Sequence, residues 1–573
     1  MTTQTHHAPV AIVGGGPVGL MLALFLDRHD IKSVLFNVEE TTRWHPKGST
    51  HNSRTMEHYR RIGIGLAVRN LGLPPNHATD VVYFTRFNGP QIARVIMQSS
   101  VEKMRGVITA PCNHQNFEPI HRANQMYVEK YLHDHARARP NITLRYGWQV
   151  GEFKEDATGV TLQAERVKLA TSNTDADYAE HEVAGTGTIE TWRVDYMAGV
   201  DGGQSHVRRS LGIRYGGHET LKQSFLGGAM MSTHVRAPTL VRDCFTNREG
   251  YQYWAINPDV RMTMVNLNGA DEYMFFTPVP EGATFDERLA IRAFHRACGY
   301  EAPATVLGNR KWTAGVALWA DRFWSGERIF LAGDAIHLFT PTGGFGLNTG
   351  IDGAANLAWK LAGLLQGWGG TKLKASYESE RRPIAKRNTT AAQMLAKNVG
   401  VIEIRKEIEQ SGAAGDAARK VAGDYLDTFG EEFASIGVQL GVRYDGSSII
   451  CEDGAPPADS INCYSPSGVP GGRAPHFFLD PPGMANRRSL FDQFGVGFTL
   501  LRFSDKADGS ALLNAAKTRG VPIEVVDVPE ADARELYGRD LALIRPDQHI
   551  CWRGDRSPVD ANAVIAMVVG ADA

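Results

Sequence analysis

Three features are missing from this sequence: paired cysteines, a surplus of one charge, and a long unbroken apolar run. The six cysteines are widely separated and form no Cys-x-x-Cys pair, so neither a disulfide scaffold nor a zinc ribbon is expected. A reducing cytoplasm suits such cysteines, and no metal site is predicted. The formal net charge of -2 gives no electrostatic footprint for nucleic acid or for an anionic membrane surface.

The apolar stretch from Val10 to Leu26 comes nearest to a membrane or targeting segment. No basic region precedes it, and several glycines and Pro17 interrupt it, so it predicts a strand followed by a helix. With 573 residues, of which 43% are hydrophobic and 22% charged, the chain has the composition of a soluble globular protein of about two or three domains.

The first predicted strand and helix enclose a G-x-G-x-x-G motif, which is typical of dinucleotide-binding units. Gly14 permits the tight turn after the strand, Gly16 lets a pyrophosphate approach, and Gly19 lets the helix pack closely on the strand. The second strand, Ser33 to Phe36, is followed by Asn37 where an acid that binds ribose hydroxyls is usual. The amide oxygen of Asn37 can still accept one ribose hydroxyl, so Asn37 stays a cofactor-binding candidate.

A second glycine-rich segment follows a strand-like run late in the chain, from Arg328 to Ala332. Gly333 and Asp334 come directly after that run, and the loop from Pro341 to Asn348 leads into an apolar-periodic helix. A helix N-terminus concentrates unpaired backbone N–H groups and partial positive charge. The segment therefore predicts a place where a flat, electron-accepting cofactor lies against the backbone, and a flavin fits this need best.

A third motif, the Asp201-Gly202 dipeptide, lies between these two and ends another predicted strand. Arg208 and Arg209 follow it closely. An acid with paired arginines can contact flavin and pyridine-nucleotide phosphates, although Asp-Gly alone is most often a turn. Asp201 is therefore a further cofactor-binding candidate.

Alternating strand and helix signals predict an α/β fold divided into five segments. The segments are a first part of an FAD-binding domain (1–215), a substrate-binding β-sheet domain (216–325), a second part of the FAD-binding domain (326–400), a helical connection (401–445) and a C-terminal domain (446–573). The polar stretch from Glu155 to Thr191 predicts an exposed hairpin or insertion.

The C-terminal segment predicts a strand, a helix, a second strand and a late hairpin, after a loop-like stretch from Asn462 to His476. This order is typical of a thioredoxin-like domain. The redox dithiol of that fold is missing, so a structural or oligomerising role is predicted.

In this order, the three glycine motifs resemble the signature of the single-component FAD-dependent aromatic hydroxylases, the family of p-hydroxybenzoate hydroxylase and phenol hydroxylase. Arg473 to His476 and Leu490 to Gly495 resemble the C-terminal domain of the phenol hydroxylase-like branch. The resemblance thus covers nearly the whole chain. It implies a Rossmann-like FAD-binding domain with an inserted β-sheet substrate domain, a helical region and a thioredoxin-like domain, and it implies a homodimer. The three turns are expected to converge around one FAD.

The resemblance also implies the chemistry. NADH or NADPH would reduce FAD, and the reduced flavin would trap O2 as a C4a-hydroperoxide that passes its distal oxygen to an electron-rich phenolic ring. Protein groups must deprotonate or polarise the phenol, and they must exclude water so that the hydroperoxide does not collapse to H2O2. One acid/base group that faces an otherwise apolar pocket is therefore expected.

Residue by residue, the resemblance implies that Asp334 holds the ribityl chain of FAD and that the loop after it supplies donors near the pyrimidine edge of the flavin. The loop residues assigned to the cofactor are Gly344, Gly346, Leu347 and Asn348. Lys47, Arg54 and Gln125 match positions in relatives that contact or lie near the cofactor. Pro341 and Phe345 would wall the flavin side of the substrate pocket.

The acid/base group is harder to place. Relatives that hydroxylate phenols carry it at a position that falls on Ser49 here, and serine is a poor base. His51 lies two residues further on, where alternation along an extended segment puts both side chains on one face. His51 is therefore predicted to activate the phenol. On the predicted substrate sheet, Tyr253 is the second catalytic candidate and Trp254 is a candidate to line the pocket.

Rival functions differ in what they require of the sequence. A flavin-dependent halogenase would need a W-x-W-x-I-P segment, of which residues 252–257 match only one Trp and the Ile. A Baeyer–Villiger or other polyketide-tailoring oxygenase stays open, because one fold hosts both chemistries. A flavin-binding protein without enzymatic activity, which uses its C-terminal domain for assembly, also stays open.

Overall fold

The computed structural model describes residues 5–169, 183–218, 228–279, 287–400, 402–433 and 435–572. The strands within them are β1 (Thr5–Val13), β2 (Ser33–Asn37), β3 (Thr50–His51), β4 (Val81–Phe84), β5 (Gln91–Val95), β6 (His121–Arg122), β7 (Ile142–Tyr146), β8 (Trp148–Asp156), β9 (Gly159–Leu169), β10 (Val183–Gly199), β11 (Tyr215–His218), β12 (Gly228–Arg236), β13 (Gln252–Ile256), β14 (Arg261–Asn266), β15 (Glu272–Pro278), β16 (Thr305–Ala314), β17 (Ala317–Ala320), β18 (Trp324–Ser325), β19 (Ile329–Leu331), β20 (His337–Leu338), β21 (Phe498–Arg502), β22 (Ile523–Asp527), β23 (Leu541–Ile544) and β24 (Ile550–Gly554).

Helices cover both sheets and connect the domains. They are α1 (Pro17–Arg28), α2 (Ser53–Arg61), α3 (Gly65–Arg69), α4 (Ser100–Thr109), α5 (Gln125–Arg137), α6 (His206–Ser210), α7 (Glu287–Cys298), α8 (Phe345–Leu365), α9 (Lys372–Gly400), α10 (Ala413–Leu426), α11 (Gly430–Phe433), α12 (Ile436–Leu440), α13 (Ser510–Thr518), α14 (Ala531–Tyr537) and α15 (Ala561–Val568). No helix in these ranges is long and apolar enough to cross a membrane.

β1 lies in the middle of a mostly parallel sheet in the order β18-β19-β10-β1-β2-β7. Its residues from Val10 to Val13 are buried, because a strand with neighbours on both sides and helices on both faces is enclosed there. Val13 pairs with Gly199 on β10, and Gly199 pairs with Leu331 on β19, in parallel register. The three glycine motifs follow these strand ends directly, so they leave the sheet at one edge, as predicted.

The second sheet has the order β16-β12-β15-β14-β13-β4-β5 and is antiparallel except where β13 runs parallel to β4. The predicted substrate domain, 216–325, contains only part of this sheet. β4 and β5 come from residues 81–95 instead, so the predicted domain boundary is wrong there. Pairing between strands so far apart in sequence leaves no local signal.

The predicted helical connection covers one face of this second sheet. Ile402, Leu426 and Phe429 pack with Trp254 and Met230 in one apolar cluster. The connection therefore covers one face of the second sheet and does more than join two domains.

The C-terminal domain has a four-stranded sheet in the order β22-β21-β23-β24, flanked by α13, α14 and α15. The predicted strand, helix, strand and hairpin are all present, whereas α14 and α15 were not predicted. The predicted insertion from Glu155 to Thr191 is built by β8, β9 and β10, and its residues 170–182 lie outside the described residues. The predicted α/β class with a thioredoxin-like C-terminal domain is confirmed.

Candidate flavin and substrate site

The turn after β1 has the space that a nucleotide needs. Gly14 has a φ of +120°, and a Cβ there would lie 2.3 Å from the carbonyl oxygen of Val200. A Cβ on Gly19 would lie 2.0 Å from the carbonyl oxygen of Gly14, so helix and strand touch. A Cβ on Gly16 would have no heavy atom within 4 Å. The open position lies at the start of α1, where a helix N-terminus favours an anion.

Asn37 shapes this turn. The backbone N–H of Gly15 donates to the Asn37 Oδ1 at 3.1 Å, and the Asn37 Nδ2 donates to the carbonyl oxygen of Glu39 at 3.3 Å. The Tyr146 hydroxyl donates to the carbonyl oxygen of Gly15 at 2.7 Å. The amide therefore holds the glycine turn in place, and its contact with a ribose stays a prediction.

Asp201 caps the helix that follows it. Its carboxylate accepts hydrogen bonds from the Ser205 hydroxyl and from the backbone N–H of Val207, and burial raises the pKa of the Asp201 carboxyl. The guanidinium of Arg208 lies 3.9 Å above the ring of Tyr215. The Tyr215 hydroxyl donates to the backbone carbonyl of Asp334, which ties the second and third motifs together.

Asp334 lies in a 3-10 turn, Gly333–Ala335, directly after β19. Burial raises the pKa of its carboxyl, while the positive charges of Lys47 and Arg43 act in the opposite direction. Asn124 holds the Lys47 loop in place, because its Nδ2 donates to the carbonyl oxygen of Lys47 at 3.0 Å. An acid with nearby cations suits the ribityl hydroxyls and pyrophosphate of FAD. Gln125 follows Asn124 and donates to Glu129 at 3.3 Å.

The loop before α8 requires glycine at two consecutive positions. Gly343 and Gly344 have φ values of +73° and +64°, and a Cβ on Gly344 would lie 2.7 Å from the Thr50 Cβ. The Asn348 Nδ2 donates to the carbonyl oxygen of Thr50 at 2.9 Å, and its Oδ1 accepts from the backbone N–H of Asn52 at 2.9 Å. This flavin loop, residues 341–348, is thereby locked against β3.

The other predicted loop residues differ in surroundings. Gly346 and Leu347 are half-buried at the start of α8, and Pro341 is exposed. Phe345 is buried and packs against Ala392 and Leu395 of α9. Phe345 therefore supports the loop from the side of α9, which does not fit its predicted place in the wall of the substrate pocket.

Arg54 does not lie free to bind a cofactor. Its guanidinium donates to Glu57 at 2.8 Å, to Asp352 at 3.3 Å and to the Gln548 side chain at 2.8 Å. All of these groups are buried. These contacts do not fit the prediction that Arg54 contacts FAD, because the side chain joins α2 to α8 and to the C-terminal domain.

His51 and Ser49 are also held by protein partners. The His51 ring nitrogens lie 3.1 Å from the Tyr59 hydroxyl and 3.1 Å from the carbonyl oxygen of Ala123. Burial lowers the pKa of His51 to about 4, so the ring is neutral at pH 7. The Ser49 hydroxyl accepts from Asn124 at 3.0 Å. An imidazole with a lowered pKa and with protein partners at both nitrogens is a poor proton acceptor, so it does not fit the predicted role of phenol-activating base.

Tyr253 and Trp254 point to opposite faces of the second sheet, as alternation requires. Tyr253 stacks on Phe245 at 3.8 Å between ring centroids and packs in the apolar cluster under α7. Trp254 stacks with Tyr83 at 5.8 Å on the face that the helical connection covers. The predicted catalytic role of Tyr253 does not fit its position, and the role of Trp254 as a substrate-lining residue stays a prediction.

Two charged residues near the flavin loop were not predicted. Arg122, on β6, donates to the Thr50 Oγ1, lies 4.6 Å above the ring of Tyr251, and has an Nε without a hydrogen-bond partner within the described part of the chain. Glu432, on α11, accepts from the backbone N–H of Gly343 at 3.4 Å. Burial raises the pKa of its carboxyl to about 7, and Arg122 acts in the opposite direction.

Sequence reasoning had no signal for these two residues. Glu432 lies in a polar helical stretch that resembles a solvated surface, and Arg122 belongs to a strand of two residues. Five residues follow one another around the loop through the contacts given above: Arg122, Thr50, Gly344, Gly343 and Glu432. We call these five residues the active-site arc. The arc puts one cation and one carboxyl beside the predicted flavin edge.

Comparisons with known proteins agree with this geometry. Residues 7–392 match the family model described as FAD binding domain, and residues 467–571 match aromatic-ring hydroxylase, C-terminal. FAD-dependent monooxygenase apdD of Emericella nidulans is 32% identical over 100% of this chain and 92% of its own length. The 2,4-dichlorophenol 6-monooxygenase of Delftia acidovorans is 26% identical over 96% and 95%. Tetracenomycin A2 monooxygenase-dioxygenase of Streptomyces glaucescens is 30% identical over 97% and 95%.

Solved structures are similar over the whole chain. RebC with bound 7-carboxy-K252c superposes with a TM-score of 0.86 at 29% identity and covers 99% of this chain and 100% of that one. Aklavinone-11 hydroxylase in a ternary complex with FAD and aklavinone superposes with a TM-score of 0.78 at 25% identity, with coverage of 99% and 100%.

Proposed function

We propose that this chain, which belongs to the family of single-component FAD-dependent aromatic hydroxylases, uses NADH or NADPH and O2 to hydroxylate a phenolic ring. The resemblance predicted from the three glycine motifs is confirmed, and so is FAD as the cofactor with NAD(P)H and O2 as co-substrates. The phenol itself is the part that remains to be tested.

Different residues would hold different parts of the cofactor. The open position at Gly16 and the start of α1 would receive the pyrophosphate, with Lys47 and Arg43 near Asp334 on the same side. The backbone at Gly344 and the start of α8 would face the flavin ring. Bound FAD supplies hydride acceptance and O2 activation, which no side chain can perform.

One observation supports an aromatic substrate most strongly: large apolar side chains of the second sheet cluster beside the active-site arc. Trp254 and Tyr83 stack there, and Met230 packs beside them. Aromatic and apolar surroundings of this kind suit a flat ring and keep water away from reacting atoms nearby. Glu432 of the arc lies close to Tyr83 of this apolar cluster.

The test is oxidation of NADH and NADPH by the FAD-loaded protein with a panel of phenols, with H2O2 measured in parallel. We expect at least one phenol to stimulate oxidation of the nicotinamide and to gain one oxygen, detected by mass spectrometry of the product. Oxidation that no phenol stimulates, or that yields H2O2 alone across the panel, would contradict the proposal.

Polyketide tailoring is a second candidate, favoured by the names of relatives that include a polyketide hydroxylase of Streptomyces halstedii and aklavinone 12-hydroxylase. The panel should therefore include polycyclic phenols and cyclic ketones beside simple phenols. Ring hydroxylation gives a catechol or quinol, whereas Baeyer–Villiger insertion gives an ester or lactone, and tandem mass spectrometry separates the two.

A further inference from the structure

Glu432 is an acidic residue that the proposed binding of FAD does not account for. The short helix α11 brings it to the flavin loop, where its Oε1 accepts from the backbone N–H of Gly343 at 3.4 Å. Burial raises the pKa of this carboxyl to about 7, so the carboxyl is close to half ionised at neutral pH. A group that titrates near the working pH is best suited to take and return a proton.

The groups that face Glu432 come from three elements. Gly343 belongs to the flavin loop, Arg122 to β6 and Tyr83 to β4. Arg122 favours the ionised form of Glu432. Burial raises the pKa of the Tyr83 hydroxyl well above its ordinary value, and the nearby Glu432 carboxylate adds to the shift. Tyr83 therefore stays neutral, and Glu432 is the group in this set that changes its protonation near neutral pH.

We infer that Glu432 is the catalytic base that accepts the phenolic proton in the proposed hydroxylation. The inference rests on the proposed function. The O–H bond of the phenol breaks, a new O–H bond forms on the Glu432 carboxylate, and the electron pair stays on the phenolate oxygen, so no oxidant is needed for this step. The phenolate enriches the ring in electron density before oxygen transfer, and Arg122 provides the positive charge that stabilises the phenolate.

The test compares Glu432→Gln with Asp427→Asn, which makes the same change at an exposed acid of the same segment. Each FAD-loaded variant is assayed with a weakly acidic phenol and with a phenol acidic enough to be ionised at the assay pH. General base catalysis contributes about 10²- to 10⁴-fold. We expect Glu432→Gln to lose roughly 10²- to 10³-fold in hydroxylation of the weakly acidic phenol and to keep most of its rate with the ionised one.

FAD binding and reduction of the flavin by NAD(P)H are measured in the same variants, so that a loss of cofactor is separated from a loss of the base. Asp427→Asn should behave as wild type with both phenols. An equal loss with both phenols, or a wild-type rate of Glu432→Gln with the weakly acidic one, would overturn the inference. If the wild-type protein hydroxylates no phenol at all, the proposed function fails first, and that outcome is distinct from these.

The wild-type protein provides a second test that does not depend on folding of the variant. A base must be ionised to act, so the rate with the weakly acidic phenol should rise as the pH passes about 7. The rate with the ionised phenol should lack this limb. Identical pH profiles for the two phenols in the wild-type protein would refute the role of Glu432.

Discussion

Gly16 and Gly19 lie in one turn but have different surroundings, which makes them a matched pair for substitution. A Cβ on Gly16 has no heavy atom within 4 Å, and its φ of -72° is open to every residue. A Cβ on Gly19 would lie 2.0 Å from the carbonyl oxygen of Gly14. We expect Gly16→Val to leave the fold intact and to weaken FAD binding, and Gly19→Ala to damage the fold itself.

The magnitudes follow from these contacts. A substitution that meets no neighbour changes the free energy of unfolding by less than about 0.5 kcal/mol. In Gly16→Val the new side chain fills the approach to the start of α1. Loss of two charge-assisted hydrogen bonds of about 1.5–3 kcal/mol each would weaken FAD binding by about 3–6 kcal/mol, or roughly 10²- to 10⁴-fold. Overpacking at Gly19 is expected to cost about 1–3 kcal/mol of stability.

The assay has two readouts on apoprotein from which FAD has been removed. Thermal unfolding measures the stability of the fold. Titration with FAD, monitored by quenching of flavin fluorescence, measures the affinity of the site for FAD. Gly16→Val should unfold at the same temperature as the wild-type apoprotein and bind FAD far more weakly. Gly19→Ala should unfold at a lower temperature. Wild-type affinity of Gly16→Val for FAD would refute the assignment of this turn to the pyrophosphate, and so would equal melting losses in the two variants.

Three further predictions test other parts of the account. His51→Ala should lower the melting temperature, because both ring nitrogens bind protein groups. The pH profile of hydroxylation should stay unchanged. If the variant loses the rise in rate with pH, His51 is a base after all. Trp254→Ala should reduce kcat/KM for the phenol about tenfold or more, whereas Tyr253→Phe should leave kcat/KM unchanged, and the reverse order would contradict the assignment of the two faces. Arg473→Met should cost about 3–5 kcal/mol in urea unfolding, because it leaves a buried carboxylate without this partner, whereas Arg488→Met, which breaks an exposed pair, should cost less than about 1 kcal/mol.

The glycine turns could be predicted because their geometry is local. The roles assigned to Gly14, Gly16 and Gly19 each require only a few neighbouring residues, and the structure gives each glycine the space or the close contact that its role needs. Parallel pairing of the strands then brings the motifs to one edge without any further information. A motif whose backbone conformation depends only on neighbouring residues can be recognised from a single sequence.

The faces of the substrate sheet could not be predicted in the same way. Alternation shows that Tyr253 and Trp254 point in opposite directions, but it does not show which direction leads to the flavin. That depends on α7, which covers the Tyr253 side, and on the helical connection, which covers the Trp254 side. Both elements are remote from β13 in the chain.

Long-range partners explain the remaining differences. Arg54 forms hydrogen bonds with Asp352 and Gln548, which are 298 and 494 residues away, so the residues next to Arg54 in the sequence give no sign of this buried cluster. Glu432 meets Gly343 at a separation of 89 residues. The pKa and the partners of a charged side chain depend on whether water or protein surrounds it, and the local sequence does not show which.

The most direct measurement of the central claim is product analysis after turnover of the FAD-loaded protein under isotopically labelled O2, with NADH or NADPH and the phenol that stimulates oxidation most. The account predicts a ring-hydroxylated product that carries one labelled oxygen atom. Labelled H2O2 with no label in any aromatic product, across simple and polycyclic phenols, would contradict it.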